Sequence, residues 1–188
     1  MLTLTDPLRT ERLVLRPFVA DDAPAVHAYM SLPDVVRYLY WEVRSLDDVR
    51  DVIGSRAGMS RLAADDDRVY LAVVRASDHQ LLGEIMLRLR SAAHQQVEIG
   101  FVFHPDFHGQ GYATEAARAM LDLAFDSGVV HRVFGSTDGR NAASAALLRR
   151  LGMREEAHFR HNEIFKGEWG DELVFAILVD EWRASRTP

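Results

Sequence analysis

Two stretches of the chain alternate apolar and polar residues with a period of two. In residues 82–89, Ile85, Leu87 and Leu89 share one face. In residues 97–103, Ile99, Phe101 and Phe103 oppose Glu98, Gly100, Val102 and the following His104. That period belongs to strands covered on one side. A third apolar run, residues 69–74, precedes them, and only Ser77-Asp-His79 and Ser91-Ala-Ala-His94 separate the three. Short polar turns between strands predict an antiparallel meander.

The flanks carry helical signals. Residues 12–16 read as a first strand that stops at Pro17. Asp21 and Asp22 precede a predicted helix over 23–30, which Ser31-Leu-Pro33 ends. Tyr38-Leu-Tyr-Trp41 is an aromatic cluster in a loop, and Ser45 with Asp48 predicts the cap of a second helix over 46–62, weakened by Gly54 and Gly58. Beyond the meander, Ala116, Ala117, Met120, Leu121 and Ala124 recur at helical spacing, predicting a helix over 113–127. A strand over 130–136, a helix over 141–151 closed by Gly152, and strands over 153–165 and 172–179 complete the chain. The expected fold is α+β: a single domain over 1–188, core about 9–182, with a central mixed, mostly antiparallel sheet flanked by helices.

Composition narrows the function. Cysteine is absent, which removes disulfides and thiolate chemistry and suits a reducing cytoplasm. A net charge of −6 argues against a general nucleic-acid binder and suits an amine-bearing partner. Residues 1–7 lack a basic segment followed by an apolar run, and no stretch approaches membrane-spanning length, so no membrane partner is expected. His158 and His161 have an odd spacing that puts them on opposite strand faces, so no metal site is expected.

Between the third meander strand and the helix lies Gly109-Gln-Gly111. A glycine turn opening a helix aims backbone N–H groups at an anion. Taken alone, two glycines also fit an ordinary tight turn. Dinucleotide binding is disfavoured, because a third glycine is missing and a meander precedes the turn. A nucleoside-triphosphate loop is excluded, because no Gly-Lys-Ser/Thr follows.

The residues here carry a resemblance. Thr10-Glu-Arg-Leu-Val-Leu-Arg-Pro17, Glu98-Ile-Gly-Phe101, Gly109-Gln-Gly-Tyr-Ala-Thr-Glu-Ala116, Asn141-Ala-Ala-Ser144 and Leu151-Gly152 appear in the order and spacing of the GNAT superfamily. The chain resembles its RimJ/RimL-like branch of N-acetyltransferases over nearly everything from Arg9 to Trp182. His108 departs from the family pattern at the first position of the turn, where glutamine or arginine is usual.

This resemblance implies an acetyl-coenzyme A-dependent N-acetyltransferase acting on a protein amino terminus or a small amine. It implies that His108, Gly109, Gln110, Gly111, Tyr112, Ala113 and Thr114 hold the pyrophosphate. The pantetheine arm would pair with Phe101, Val102 and Phe103, with Asn141 contacting its amide. A bulge near Val102 would free an oxyanion donor. Leu148 stands where many members carry a tyrosine acid, leaving Ser144 to hydrogen-bond the departing thiolate. Tyr38, Tyr40 and Trp41 would border the acceptor, with core packing the alternative.

Acetyl transfer needs a neutral amine, and a lysine-like amine is protonated at neutral pH, so a base is required. Glu98 faces the predicted cleft and is the candidate; a structural ion pair is its alternative, and His104 and His108 are rivals. A non-catalytic acyl-coenzyme A sensor would keep the glycine turn without needing Glu98 or Ser144. A homodimer is compatible with the chain.

Overall fold

The computed structural model describes residues 1–186. Its strands are β1 (Leu2–Thr3), β2 (Leu8–Arg9), β3 (Leu13–Arg16), β4 (Arg61–Leu62), β5 (Arg68–Arg75), β6 (Leu81–Ser91), β7 (Gln96–Phe103), β8 (Arg132–Asp138), β9 (Arg154–Phe165) and β10 (Glu168–Leu178). Its helices are α1 (Ala23–Met30), α2 (Pro33–Val36), α3 (Leu46–Arg56), α4 (Tyr112–Asp126), α5 (Ala142–Arg150) and α6 (Val179–Ser185). The main sheet runs β2-β3-β5-β6-β7-β8-β10-β9. Every pairing in it is antiparallel except β7 with β8. The predicted meander is β5-β6-β7, and the mixed, mostly antiparallel sheet is as expected.

The alternation seen in the sequence sorts the sheet into two cores. Leu71, Ile85, Leu87, Val97 and Ile99 pack under the Ala116, Ala117, Met120, Leu121 and Ala124 stripe of α4. On the other face Ala72 and Val74 pack with Val26, Tyr29, Val49 and Ile53 of α1 and α3. Each fully buried Leu, Ile or Met contributes about 1.5–3 kcal/mol. The sheet is therefore covered on both sides, and ligand access is left to the places where strands part.

The second helix is shorter than its predicted 46–62, ending at Arg56. Val49 and Ile53 belong to one core while Leu62 is buried in the other, so one apolar stripe could not serve both. The chain turns at 57–59, and Leu62 pairs with Leu2 instead. Pro33 does not simply break a helix; it starts the single turn of α2. The sequence reading also stopped short of α6, whose Trp182 is buried and donates to Asp122 at 2.9 Å.

One interruption of the sheet positions everything functional. β7 and β8 pair only at Gln96↔Arg132, Val97↔Val133 and Glu98↔Phe134, and then separate. Parallel neighbours without a tight hairpin can diverge in this way, because each strand is anchored from its far side. Here β6 holds β7 through Gly83↔Phe103, and β10 holds β8 through Glu172↔Asp138.

Candidate active site

Antiparallel ladders alternate bonded and non-bonded residues. His104 N–H donates to Leu82 O at 2.9 Å, which assigns the even-numbered residues of β7 to β6. Phe101 and Phe103 therefore direct their backbone groups toward the side that β8 has left. The Phe103 carbonyl is met by His108 Nε2 at 3.1 Å. Phe101 has no strand partner on that side among the described residues, and an extended ligand could add there as a strand. The bulge expected near Val102 is not present: the β6–β7 register is unbroken from Gly83↔Phe103 to Leu89↔Val97. Strand divergence, not a bulge, is what frees the backbone.

At the end of β7 the chain passes through a 3₁₀ turn, Pro105–Phe107, into the glycine turn. Gly109 and Gly111 have φ of 74° and 82°, a region that side-chain-bearing residues rarely adopt. Gly111 is the N-cap of α4, and no side chain caps the helix, so the first N–H groups of Tyr112, Ala113 and Thr114 remain available to an anion. A Cβ on Gly111 would sit 3.3 Å from an Arg12 nitrogen.

Arg12 belongs to the Thr10-Glu-Arg segment, to which sequence reading attached no role. It donates from Nε to Glu115 at 2.7 Å and from Nη1 to the Gln110 carbonyl at 3.0 Å, and lies 4.5 Å from the Tyr112 ring centre. Thr10 adds a 2.5 Å bond to the same carboxylate. This clamp fastens the glycine turn to the sheet and neutralises an acid one turn into α4. Burial works against Glu115 ionising, but the Thr10 and Arg12 bonds prevail and hold its carboxyl below the ordinary 4.5. A carboxyl depressed by folding adds stability above its unfolded pKa and loses it as pH falls through the folded value. Glu115→Gln should cost about 1 kcal/mol at pH 7, modest because Arg12 is partly exposed. It should also flatten the acid limb of a Tm-against-pH curve below about pH 4.5.

Beneath the parted strands lies a cavity of about 210 Å³. Glu98, Phe101, Val102, Asn141, Ser144, Tyr38, Tyr40 and Trp41 all line it, so residues predicted from three separate segments meet. His104 and His108 do not line it; His104 Nδ1 accepts from Asp106 N–H, and His108 Nε2 is turned to the Phe103 carbonyl. Phe103 and the glycine turn also lie outside it, Gly111 and Thr114 bordering a separate open groove. Glu98 Oε2 is 3.2 Å from Arg90 and 3.9 Å from Arg88, so the ion-pair alternative is realised while the carboxylate still reaches the cavity.

The Asn141 side-chain Oδ1 accepts from Ser144 N–H at 3.1 Å as the cap of α5, leaving its side-chain NH₂ for a ligand. No described hydrogen bond engages the Ser144 hydroxyl. The aromatic loop is a wall of the cavity and not core: Tyr40 is 76% exposed, its ring edge against Phe165 and its hydroxyl donating to Glu163 at 2.8 Å. Lys166 ties this loop down through the carbonyls of Val36 and Trp41, both at 3.0 Å.

Sequence reading missed Glu84, a cavity-lining carboxylate only 3% exposed. Arg56 Nη1 reaches its Oε2 at 2.6 Å and Tyr29 donates to the same oxygen at 2.8 Å. The missing signal is that both partners are distant in sequence.

Comparison with known proteins gives the family. The model of the acetyltransferase (GNAT) domain matches residues 12–154. The chain is 31% identical over 175 residues to the uncharacterized N-acetyltransferase YnaD of Bacillus subtilis (strain 168), covering 93% of this chain and 98% of that one. It is 22% identical to the spermidine N(1)-acetyltransferase of Escherichia coli (strain K12), covering 93% and 90% respectively. Among solved structures, the GNAT-family acetyltransferase from Bacillus anthracis superposes with a TM-score of 0.83 at 31% identity, covering 93% of this chain and 99% of that one. The chain belongs to the GNAT family of acetyl-coenzyme A-dependent N-acetyltransferases.

Proposed function

We propose that this enzyme acetylates a small amine that enters the cavity under the aromatic loop. The observation that carries the reading is the parting of β7 from β8 directly after Glu98, which gathers a carboxylate, a free strand edge, Asn141 and Ser144 around one space. The residues fit acetyl-coenzyme A: uncapped amides and two left-handed glycines for its diphosphate, and the edge at Phe101 for its amide-bearing arm. The acetyl donor supplies the activated thioester. Glu98 takes the proton of the incoming ammonium, directly or through one water, and the Ser144 hydroxyl hydrogen-bonds the departing sulfur. The resemblance to ribosomal-protein acetyltransferases favours a protein amino terminus as acceptor, but a cavity of about 210 Å³ walled by Tyr38, Tyr40 and Trp41 suits a compact amine better.

Release of free thiol from acetyl-coenzyme A, followed against a panel of small amines and amino-terminal peptides, tests this directly. Acetyl-coenzyme A alone should raise the Tm, by mass action on the folded state. Gly111→Val should remove most of that rise, because the side chain is strained at φ 82° and meets the Arg12 clamp. No thiol release with any acceptor, and no Tm shift, would sink the reading.

A further inference from the structure

The cavity wall holds six carboxylates, Glu84, Glu98, Asp138, Glu163, Asp171 and Glu172, and no lysine, arginine or histidine. Three are matched by arginines from behind the wall, Glu84 by Arg56, Glu98 by Arg88 and Arg90, and Asp138 by Arg140, while Asp171 is bonded by the His158 ring and the His161 N–H. The other two differ. Among the described residues Glu163 receives only the Tyr40 hydroxyl, and Glu172 only the Asn162 amide at 2.8 Å, both neutral donors. At the inner end, both donors to the deeply buried Glu84 land on Oε2, and no described hydrogen bond reaches its Oε1. The cavity wall thus carries unmatched negative charge together with aromatic side chains.

We propose that the acceptor is a linear amine with at least two positive charges, a diamine or polyamine. Its distal ammonium is held by Glu163, Glu172 and the Tyr40 hydroxyl oxygen while its other end is acetylated near Glu98. The proposal rests on the acetyltransferase reading above and adds the second charge. An ammonium there has three oxygen acceptors, which its three N–H bonds can match. Aromatic rings alongside add attraction for a cation without offering a competing one. The Tyr40 hydroxyl already registers this field: partial burial and then the Glu163 bond and the charges of Glu163, Glu172 and Glu98 push its pKa up to about 12. A protein amino terminus brings a single charge that the Glu98 end would consume, leaving Glu163 and Glu172 unanswered.

The test compares kcat/KM for 1,4-diaminobutane and for butylamine, which is the same carbon chain with one charge fewer. The diamine should be preferred by roughly tenfold or more, the value of one partly exposed charge-assisted contact. Raising salt to about 1 M should compress that preference, since the contact is screened. In Glu163→Gln/Glu172→Gln, with single Glu172→Gln as the milder variant, the diamine-to-butylamine ratio should fall toward one. Equal use of both amines by the unaltered enzyme, or a ratio that survives the substitutions, overturns the proposal. Turnover of amino-terminal peptides without turnover of the diamine also overturns it, but leaves the acetyltransferase reading standing. Absence of thiol release with every acceptor defeats that underlying reading instead.

Discussion

Glu98→Gln is expected to lower kcat by roughly 10²–10⁴-fold at pH 7 while leaving acetyl-coenzyme A binding nearly unchanged. The substitution preserves shape and hydrogen-bonding capacity on β7 but removes the only group in the cavity that this reading gives a proton-accepting task. Loss of the contacts to Arg90 and Arg88 should cost under about 1 kcal/mol, because the pair is loose and Arg90 is well exposed. A purely structural ion pair would show the opposite pattern, with Tm slightly reduced and turnover intact. A pH series separates the two further. A free amine with a pKa of about 10.4 gains about tenfold in its neutral fraction for each unit that pH rises toward that value. The variant, lacking a base, should therefore recover activity about tenfold per unit between about pH 7 and pH 9, more steeply than the unaltered enzyme. A flat profile in Glu98→Gln would remove the base assignment.

The parts of this site that sequence reveals are those fixed by local rules. Alternation in residues 97–103 places Glu98 opposite Ile99 because a strand has only two faces, and the structure keeps that division. Gly109 and Gly111 announce their turn because few other residues tolerate positive φ. Asn141 is readable as a cap for the same local reason. Where two segments have to be brought together, no local rule of this kind applies. The separation of β7 and β8 depends on β6 and β10 pulling from opposite sides, and no residue within either strand encodes it. Arg12 and Glu115 lie 103 positions apart and meet only when β3 and α4 pack. Glu84 occupies the polar phase of β6 and reads as a solvated residue until α1 and α3 cover that face.

Arg56→Met should destabilise the protein by about 3–5 kcal/mol, since it strands the buried carboxylate of Glu84 without its counter-ion. The pair is deeply enclosed, with side-chain exposures of 8% for Arg56 and 4% for Glu84, and the guanidinium stacks 4.3 Å from the Tyr70 ring centre. For a chain of this size the loss corresponds to a Tm fall of roughly 10 °C. Tyr29 cannot substitute for the lost charge. Burial first, then the Glu84 charge, raises its hydroxyl pKa well above the usual value, so it stays a neutral donor. Removing both partners should behave differently. In a Tyr29→Phe background, which leaves no buried hydroxyl without its acceptor, Arg56→Met/Glu84→Met exchanges a desolvated ion pair for apolar packing, a replacement that is often neutral or stabilising, so most of the lost Tm should return. Stability curves for the two single variants and the double in that background give the coupling energy of the pair. A double variant no more stable than Arg56→Met would show that the cost lies in lost packing around Tyr70, and the counter-ion account of Arg56 would fail.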